Sequence, residues 1–390
     1  MSKKGYSVTY VLLCVIALFV MLSSSLVTPL IANYARQLGA SSFVIGLVVS
    51  GYWISRIFLE IPSGFISQKF GLYRVMIAGL VLTGLGNLVM ATWMDPYTLV
   101  LGRALMGLGA PLFFAVATTF VLNMFEPERR GSAMGIFQGI EFAGSVVGST
   151  FSGYIVSAFN FQTGFLFSTV LVLAALALMI LPPNIRSESN IQTTATPLSF
   201  SMIRQVLSTR NLLIVSSATF AEFIMSNGII FTVFPLYAEN TLGISLTNIG
   251  LIMGSRSFGF VISMFTMGYF ADRFGRKPVL LFGLGATAAL MVAVNFATTF
   301  ELLVSILFIL GITTGAIWIV SPVLAAESVD TSHRGAAIGT YRTFFDLGSI
   351  LGPIIMTSVL DSYGIAMCFY LSAAILLVNL VPSMTLEEKK

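Results

Sequence analysis

Long apolar stretches follow one another along almost the whole chain, and they constrain the fold more than any other feature of the sequence. A helix needs roughly 20 apolar residues to cross a bilayer, and twelve segments of about this length are separated by short polar, glycine- or proline-containing breaks. Only 9% of the residues are charged, whereas soluble domains carry about a quarter. The chain therefore requires lipid as its solvent, which predicts an all-α polytopic membrane protein and excludes a soluble domain.

We number the predicted spans in chain order and place them at residues 8–34, 42–64, 73–93, 97–123, 131–158, 163–182, 210–238, 245–269, 277–296, 299–325, 334–360 and 364–383. The first run has no small-residue cleavage site after a short core, so we expect it to be retained as span 1. The two cysteines lie in apolar segments and are interpreted as buried hydrophobic side chains.

The basic residues predict the orientation of these spans. With twelve crossings both termini lie on one side, and that side carries 15 Lys and Arg residues against one, Arg36, on the other. The positive-inside rule therefore places both termini in the cytoplasm. This asymmetry explains the formal charge of +4 without nucleic acid as a partner.

A repeat with an offset of 204 residues relates the two halves of the chain. It pairs Arg130-Gly131 with Arg334-Gly335, and it needs no gap between residues 38 and 153. Six spans are therefore duplicated in parallel. We predict an N-terminal six-helix bundle at 1–183, a Ser- and Thr-rich cytoplasmic linker at 184–209, and a C-terminal six-helix bundle at 210–390.

One loop of the second half concentrates charge between two apolar runs. The stretch GYFADRFGRKPV, residues 268–279, has a weaker copy in GFISQKFGLYRV, residues 64–75, where Gln68 replaces Asp272. Span 4 contains Leu99-x-x-x-Arg103-x-x-Met106-Gly107, span 5 contains Gly144-x-x-x-Gly148-Ser149, and span 11 contains Gly348-x-x-x-Gly352-Pro353. These motifs resemble those of the major facilitator superfamily of secondary transporters, in the pattern of its 12-span drug/proton antiporters.

The resemblance implies two pseudo-symmetric six-helix bundles around a central cavity, lined chiefly by spans 1, 4, 7 and 10. It also implies alternating access, in which the bundles rock about a site near the midplane. The i, i+4 glycines agree with close packing of the helices, since small residues at this spacing let backbones approach in lipid. Such pairs include Gly131 with Gly135, Gly144 with Gly148, and Gly348 with Gly352.

Eight ionisable residues lie in the interior of predicted spans, several residues from either end, where charge must be neutralised, paired or functional. Arg56 and Glu60 are four residues apart and can pair on one face of span 2; we favour a structural or gating role for them. Arg342 and Asp346 have the same spacing in span 11, which leaves self-pairing and a proton-dependent exchange of partners both open.

Glu222 has no basic residue three or four positions away along its own helix. An isolated carboxyl in an apolar interior favours its neutral form, so Glu222 is the leading candidate for a proton carrier, with a salt bridge to another span as the alternative. Glu141 is a candidate for the same role or for a cationic substrate. Arg103 matches a position that the family associates with proton coupling or substrate, and Arg256 suggests an anionic substrate group or a carboxylate partner.

The remaining predicted site residues fall into two groups. The expected substrate-binding residues are Asn33, Tyr34, Phe113, Phe114, Gln138, Asn227, Phe231, Arg256 and Trp318. The expected gating residues are Gly64, Gly71, Arg56, Glu60, Gly268, Asp272, Arg273, Gly275, Arg276 and Lys277. In this second group Asp272 is expected to pair with Arg273 or Arg276 or to cap the next helix, as part of a cytoplasmic latch that is stronger in the second half.

We expect a secondary transporter of the plasma membrane, and specifically a proton-coupled exporter of small amphipathic compounds or metabolites. An importer or facilitator of a specific solute, such as an organic anion or a sugar, is the alternative. Membrane lipids, protons and a small-molecule substrate are the expected partners of a monomer. The sequence shows no Ser-His-Asp arrangement, metal-ligand cluster or phosphate loop, so no enzymatic activity, cofactor or metal is expected.

Overall fold

The computed structural model describes residues 7–60, 62–189, 206–330 and 333–387, and within these ranges the protein is helical without β-strands. In the first half, span 1 comprises helix Val8–Val27, a 3-10 turn at Thr28–Leu30 and helix Ile31–Gln37. Spans 2 to 6 are Ser42–Glu60 with Pro62–Phe70, Leu72–Thr92, Pro96–Met124, Pro127–Ala158 and Phe161–Ile180, followed by a short helix, Pro183–Glu188.

In the second half, span 7 comprises helix Arg210–Met225, a π-helix at Ser226–Val233 and helix Phe234–Asn240. Spans 8 to 12 are Leu246–Phe274, Arg276–Val294, Phe300–Glu327, Arg334–Tyr363 and Ile365–Ser383. Most of the predicted linker, residues 190–205, lies outside the described residues.

Eleven helices among the described residues are long and apolar enough to cross a membrane. The remaining predicted span is span 5, residues 131–158, which corresponds to the 32-residue helix Pro127–Ala158 and is not one of those eleven. Its length is sufficient, since each helical residue adds about 1.5 Å. Its interior, however, contains Glu141 and Gln138 together with several Gly and Ser residues, which weakens the hydropathy signal.

The two halves share the local chemistry that starts their helices. Gly71 and Gly275, which are equivalent in the repeat, precede spans 3 and 9 with φ angles of 86° and 95°. A side chain at either position would be strained. Asp95 and Thr299, also equivalent in the repeat, both cap the following helix with a side-chain oxygen.

The chain divides into two compact units, of which the first contains residues 1–28 and 51–196. Its core is apolar and includes Leu13, Phe113 and Phe120, all fully buried. Gly144 packs against span 1, because an added Cβ would lie 2.6 Å from the backbone oxygen of Leu18. No atom of a neighbouring described element lies within 4 Å of a Cβ built at Gly131 or Gly135. The prediction that this pair of glycines allows close helix packing was therefore wrong.

The second unit contains residues 29–50 and 197–390. Here Gly348 packs against span 7 as Gly144 packs against span 1, with an added Cβ at 2.6 Å from the backbone oxygen of Phe220. The unit also includes the end of span 1 and the beginning of span 2, which were predicted to belong to the N-terminal bundle. In this unit the Asn33 amide donates to Glu239 Oε2 at 2.6 Å, and the Ser42 hydroxyl donates to Asp361 Oδ1 at 2.5 Å.

Candidate functional site

A buried acid and a buried base lie close together in the second unit. Glu222, in the first helix of span 7, is 4% exposed, and Arg256, in span 8, is 7% exposed. The two side chains attract each other electrostatically. Glu222 therefore has a basic neighbour from another span, which its own helix does not provide.

Ser226 joins these two charged groups. One terminal nitrogen of Arg256 donates to the Ser226 hydroxyl at 2.9 Å, and that hydroxyl also hydrogen-bonds the Glu222 carboxyl one turn earlier on span 7. Ser226 is the first residue of the π-helix, and helices of this type occur frequently at functional sites. The guanidinium also lies over the ring of Phe231, 5.1 Å from its centroid.

Aromatic side chains from spans 7, 8, 10 and 11 pack together in the same unit. Trp318 of span 10 contacts Phe223, Phe260 and Phe345, with ring centroids 5.8 to 6.1 Å apart. Tyr341 of span 11 hydrogen-bonds Thr219 and interacts electrostatically with Glu222. Span 11 thus adds a phenol to the acid–base cluster, a contribution that its sequence gave no reason to expect.

Span 11 also holds the other charged pair of this half. Asp346 is buried, whereas Arg342 is exposed. One turn beyond Asp346, Ser349 accepts a hydrogen bond from the Asn227 amide at 3.1 Å. Asn227 follows Ser226 directly in the chain, and Phe231 contacts Arg256; their role in substrate binding stays a prediction.

Arg103 of span 4 is 4% exposed, which makes it the most buried cation among the described residues of the first unit. A terminal nitrogen of its guanidinium donates to the Thr28 hydroxyl at 3.2 Å, and the group lies over the ring of Tyr52, 4.8 Å from the centroid. Among the described residues no carboxylate forms an ion pair with it. Removing an ion from water costs several kcal/mol, and one ring contributes about 1 to 2 kcal/mol, so this cation is incompletely neutralised.

Two carboxylates within the spans of the first unit, Glu60 and Glu141, interact instead with Arg56. Its Nε donates to Glu60 Oε2 at 3.0 Å, so the predicted pairing within span 2 is present. Glu141 of span 5 is electrostatically attracted to the same guanidinium, which also lies 5.1 Å from the centroid of the Trp53 ring. Two carboxylates therefore share one arginine, and neither accompanies Arg103.

The other predicted binding residues have varied surroundings. Phe113 lies in the apolar core of the first unit, and its ring contacts that of Phe114 at 5.1 Å. Asn33 and Tyr34 are buried in the second unit, where the Asn33 amide also donates to the Pro235 backbone oxygen at 2.9 Å. Gln138 is half-buried in span 5.

The charged loop between spans 8 and 9 differs from the predicted latch. Arg276 pairs with Glu327, at the end of span 10, through Oε1 at 2.6 Å. Asp272 is exposed and makes no ion pair within the described ranges, and it does not cap span 9, whose N-cap is Gly275. The reason is position: Arg276 begins a new helix that packs on span 10, whereas Asp272 lies on the outer side of the last turn of span 8.

The neighbouring loop residues contact other groups. Arg273 lies over the Phe274 ring at 5.4 Å, and the Lys277 ammonium donates to the Leu386 backbone oxygen at 2.9 Å. Neither Gly64 nor Gly268 has an atom of a neighbouring element within 4 Å of an added Cβ. Sequence reasoning missed Glu327, since a carboxylate at the predicted end of a span carries no distinguishing signal.

Comparison with curated proteins gives relatives along nearly the full length of the chain. A multidrug resistance efflux pump of Streptococcus pneumoniae, PmrA, is 26% identical over 386 residues, covering 94% of each chain. Multidrug resistance protein 2 of Bacillus subtilis is 23% identical over 377 residues, covering 95% of this chain and 92% of the relative.

Solved structures share the fold at lower identity. A peptide transporter of the POT type superposes with a TM-score of 0.80 at 14% identity, covering 98% of this chain and 95% of its own. The nucleoside transporter NupG gives 0.75 at 17% identity, covering 97% and 99%. The family model described as Major Facilitator Superfamily matches residues 13–237 and 220–390. The chain therefore belongs to the major facilitator superfamily, as a multi-pass membrane transporter and not an enzyme.

Proposed function

We propose that this transporter is a proton-coupled antiporter that exports small amphipathic compounds or metabolites across the plasma membrane, with Glu222 as its principal proton site. The proposal depends on one observation: a buried carboxyl that is joined to a buried guanidinium by a hydroxyl in a π-helical segment. Buried titratable groups with a specific charged partner are typical of functional sites.

The cluster has the chemistry that proton coupling needs. When Glu222 is ionised, its charge offsets that of Arg256 through the shared Ser226 hydroxyl. When it is protonated, Arg256 loses this compensation, so the electrostatic balance around span 7 changes. Asp346 and Glu141, buried and half-buried in their own spans, are secondary proton sites. Arg342 is the basic partner that we assign to Asp346, and the aromatic side chains around Trp318 supply an apolar surface for substrate.

The names of two relatives support export as the direction of transport. PmrA is a multidrug efflux pump and multidrug resistance protein 2 is a drug-resistance protein, and their matches cover 94% and 95% of this chain. The proposal includes both termini in the cytoplasm, a monomeric state and direct contact with membrane lipids. The second-half loop, with its Arg276–Glu327 pair, acts as the stronger cytoplasmic latch.

Transport by reconstituted protein tests the coupling. Vesicles carrying a pH gradient of either sign are assayed for movement of a fluorescent amphipathic dye, with the wild type compared with Glu222→Gln and with the exposed-acid control Glu301→Gln. We expect dye to move against the proton flux in the wild type and the control. We expect Glu222→Gln to lose gradient-driven accumulation while retaining exchange in the absence of a gradient.

Two results would contradict this function. If the rate and direction of dye transport by the wild type did not depend on the pH gradient, proton coupling would be excluded. Dye movement in the same direction as protons would favour the importer alternative.

A further inference from the structure

We propose that the segment after span 12, residues 384–387, is a releasable strap that holds the adjoining ends of spans 7, 9 and 10 together and so stabilises the Arg276–Glu327 pair. This segment is called the strap below. The inference goes beyond the proposed function, because it depends on contacts within the second unit and not on proton coupling or on the direction of transport.

Span 7 binds the strap through two side chains at its start. The Arg210 guanidinium donates to the Thr385 hydroxyl at 2.9 Å, and the Asn211 amide donates to the Glu387 backbone oxygen at 3.1 Å. The Thr385 hydroxyl donates its own proton to the Pro382 backbone oxygen at 2.7 Å, so it acts towards Arg210 as an acceptor. These bonds fix the path of the backbone after the last turn of span 12.

Span 9 binds the residue between these two contacts. The Lys277 ammonium donates to the Leu386 backbone oxygen at 2.9 Å. The C-terminal end of a helix favours nearby cations, and span 12 has no basic residue in its last turn. Arg210 and Lys277 therefore supply, from spans 7 and 9, the positive charge that the end of span 12 lacks.

The Leu386 side chain makes the apolar contact of the strap. It is 4% exposed, whereas Met384, two positions earlier, is 54% exposed. Leu386 lines a cavity of about 40 Å³ with residues of spans 7 and 10, among them Glu327. Since Lys277 follows Arg276 directly in the chain, the strap is bonded beside one member of the ion pair and buried beside the other.

The Arg276–Glu327 pair needs such support. Its side chains are 33% and 34% exposed, and ion pairs at the surface are weakened by water, by salt and by the entropy of two long side chains. A segment that holds Lys277 and Leu386 in place next to the pair restricts the motion of both partners and limits the approach of water. The strap and the pair therefore stabilise each other.

The first unit has a more firmly packed counterpart of the strap. After span 6, Ile185 of the short helix Pro183–Glu188 is fully buried in the apolar core of that unit. The strap differs, because Leu386 borders a cavity and the side chains that donate to the strap are exposed or half-buried. Segments with few buried contacts open locally at a low free-energy cost. The strap therefore leaves its seat more readily than the segment after span 6.

Hydrogen–deuterium exchange of the purified transporter in detergent tests the strap without any gradient or substrate. The releasing variants are Leu386→Asp, which places a charge at the buried position, and a chain that lacks residues 385–390. The matched control is Met384→Asp, which adds the same charge two positions away at an exposed side chain. Exchange is followed in span 9 at residues 279–286 and in span 10 at residues 320–327, with residues 75–82 of span 3 as the internal reference.

We expect both releasing variants to accelerate exchange in these parts of spans 9 and 10 by about ten-fold or more, because burial of a leucine side chain contributes a free energy that corresponds to at least this factor. Met384→Asp should leave both rates at the wild-type value, and residues 75–82 should not change in any variant. In a Glu327→Gln background Leu386→Asp should have a smaller effect, since the strap and the ion pair act on the same helix ends.

Four outcomes would overturn the strap: wild-type exchange in both releasing variants, equal acceleration by Leu386→Asp and Met384→Asp, acceleration confined to residues 381–387, or an undiminished effect of Leu386→Asp in the Glu327→Gln background. The third result would mean that the segment is seated without stabilising its neighbours. Because no proton gradient is involved, failure here leaves the antiport assay unaffected. Conversely, loss of proton coupling in vesicles would not change the exchange rates measured in detergent.

Discussion

Arg103 and Arg256, the two most buried arginines among the residues that the structure describes, have similar surroundings but different charge balance. Each places its guanidinium over an aromatic ring and donates to a hydroxyl at the start of a non-α segment, Thr28 for Arg103 and Ser226 for Arg256. Only Arg256 has a carboxyl beside it. A ring and a hydroxyl can therefore hold a guanidinium in place in either unit. The charge of Arg256 is balanced by a carboxyl of its own unit, whereas that of Arg103 is not.

The repeat shows that these two sites are not copies of each other. The 204-residue offset relates Arg256 to Tyr52, and Arg103 to Leu307. In the second unit the buried cation is Arg256 of span 8. In the first unit the buried cation is Arg103 of span 4, and the span 2 position equivalent to Arg256 is Tyr52, whose ring contacts Arg103. The same arrangement was reached with different residues after duplication, and the partner carboxyl is present on one side only.

The largest expected effect comes from removing the carboxyl of the balanced site. Glu222→Leu leaves Arg256 buried without its partner, which should lower the free energy of unfolding by about 3 kcal/mol. The double variant Glu222→Leu with Arg256→Leu should recover most of this loss, because an apolar pair no longer buries a charge. Denaturant unfolding in detergent measures both.

The matched variant in the other unit is Arg103→Leu. It removes a cation that has no internal partner, so the free energy of unfolding should be unchanged or higher. If Arg103→Leu lowered the free energy of unfolding as much as Glu222→Leu, the charge of Arg103 would also have a partner in its own unit, which would contradict the difference between the two sites.

An intermediate effect is expected at the two hydroxyls. Ser226→Ala removes a group that contacts two charged side chains and should lower the free energy of unfolding by about 2 kcal/mol, whereas Thr28→Val removes one hydrogen bond to a charged group and should lower it by about 1 kcal/mol. Equal losses, measured under the same conditions, would mean that Ser226 does not connect Glu222 with Arg256.

The smallest effect is expected at the rings. Phe231→Leu and Tyr52→Leu each remove one cation–π contact while keeping most of the apolar volume, and each should cost about 1 kcal/mol. Because Arg103 depends more heavily on its ring, Tyr52→Leu should have the larger effect of the two. The reverse order would indicate that Arg103 already has another partner.

Hydropathy and the repeat predicted the spans and the starts of spans 3 and 9, and the sequence motifs predicted the family, because these features depend on local sequence. The Arg56–Glu60 pair was also predictable, since both residues lie on one helix. The contacts of Glu222 with Arg256 and of Arg276 with Glu327 were not, because they depend on how each helix is rotated. In a membrane protein both the lipid-facing and the interior-facing sides of a helix are apolar, so the sequence carries little signal for that rotation.

The π-helix of span 7 has a consequence for the residues around Arg256. Ser226 and Phe231 are five positions apart, and both contact the same guanidinium. In a π-helix, hydrogen bonds join positions five apart and stack them, whereas in an α-helix such positions point about 140° away from each other. The conformation of these eight residues therefore determines the contacts of Arg256. The π-helix lets both Ser226 and Phe231 contact the guanidinium, whereas a regular α-helix would direct only one of them towards it.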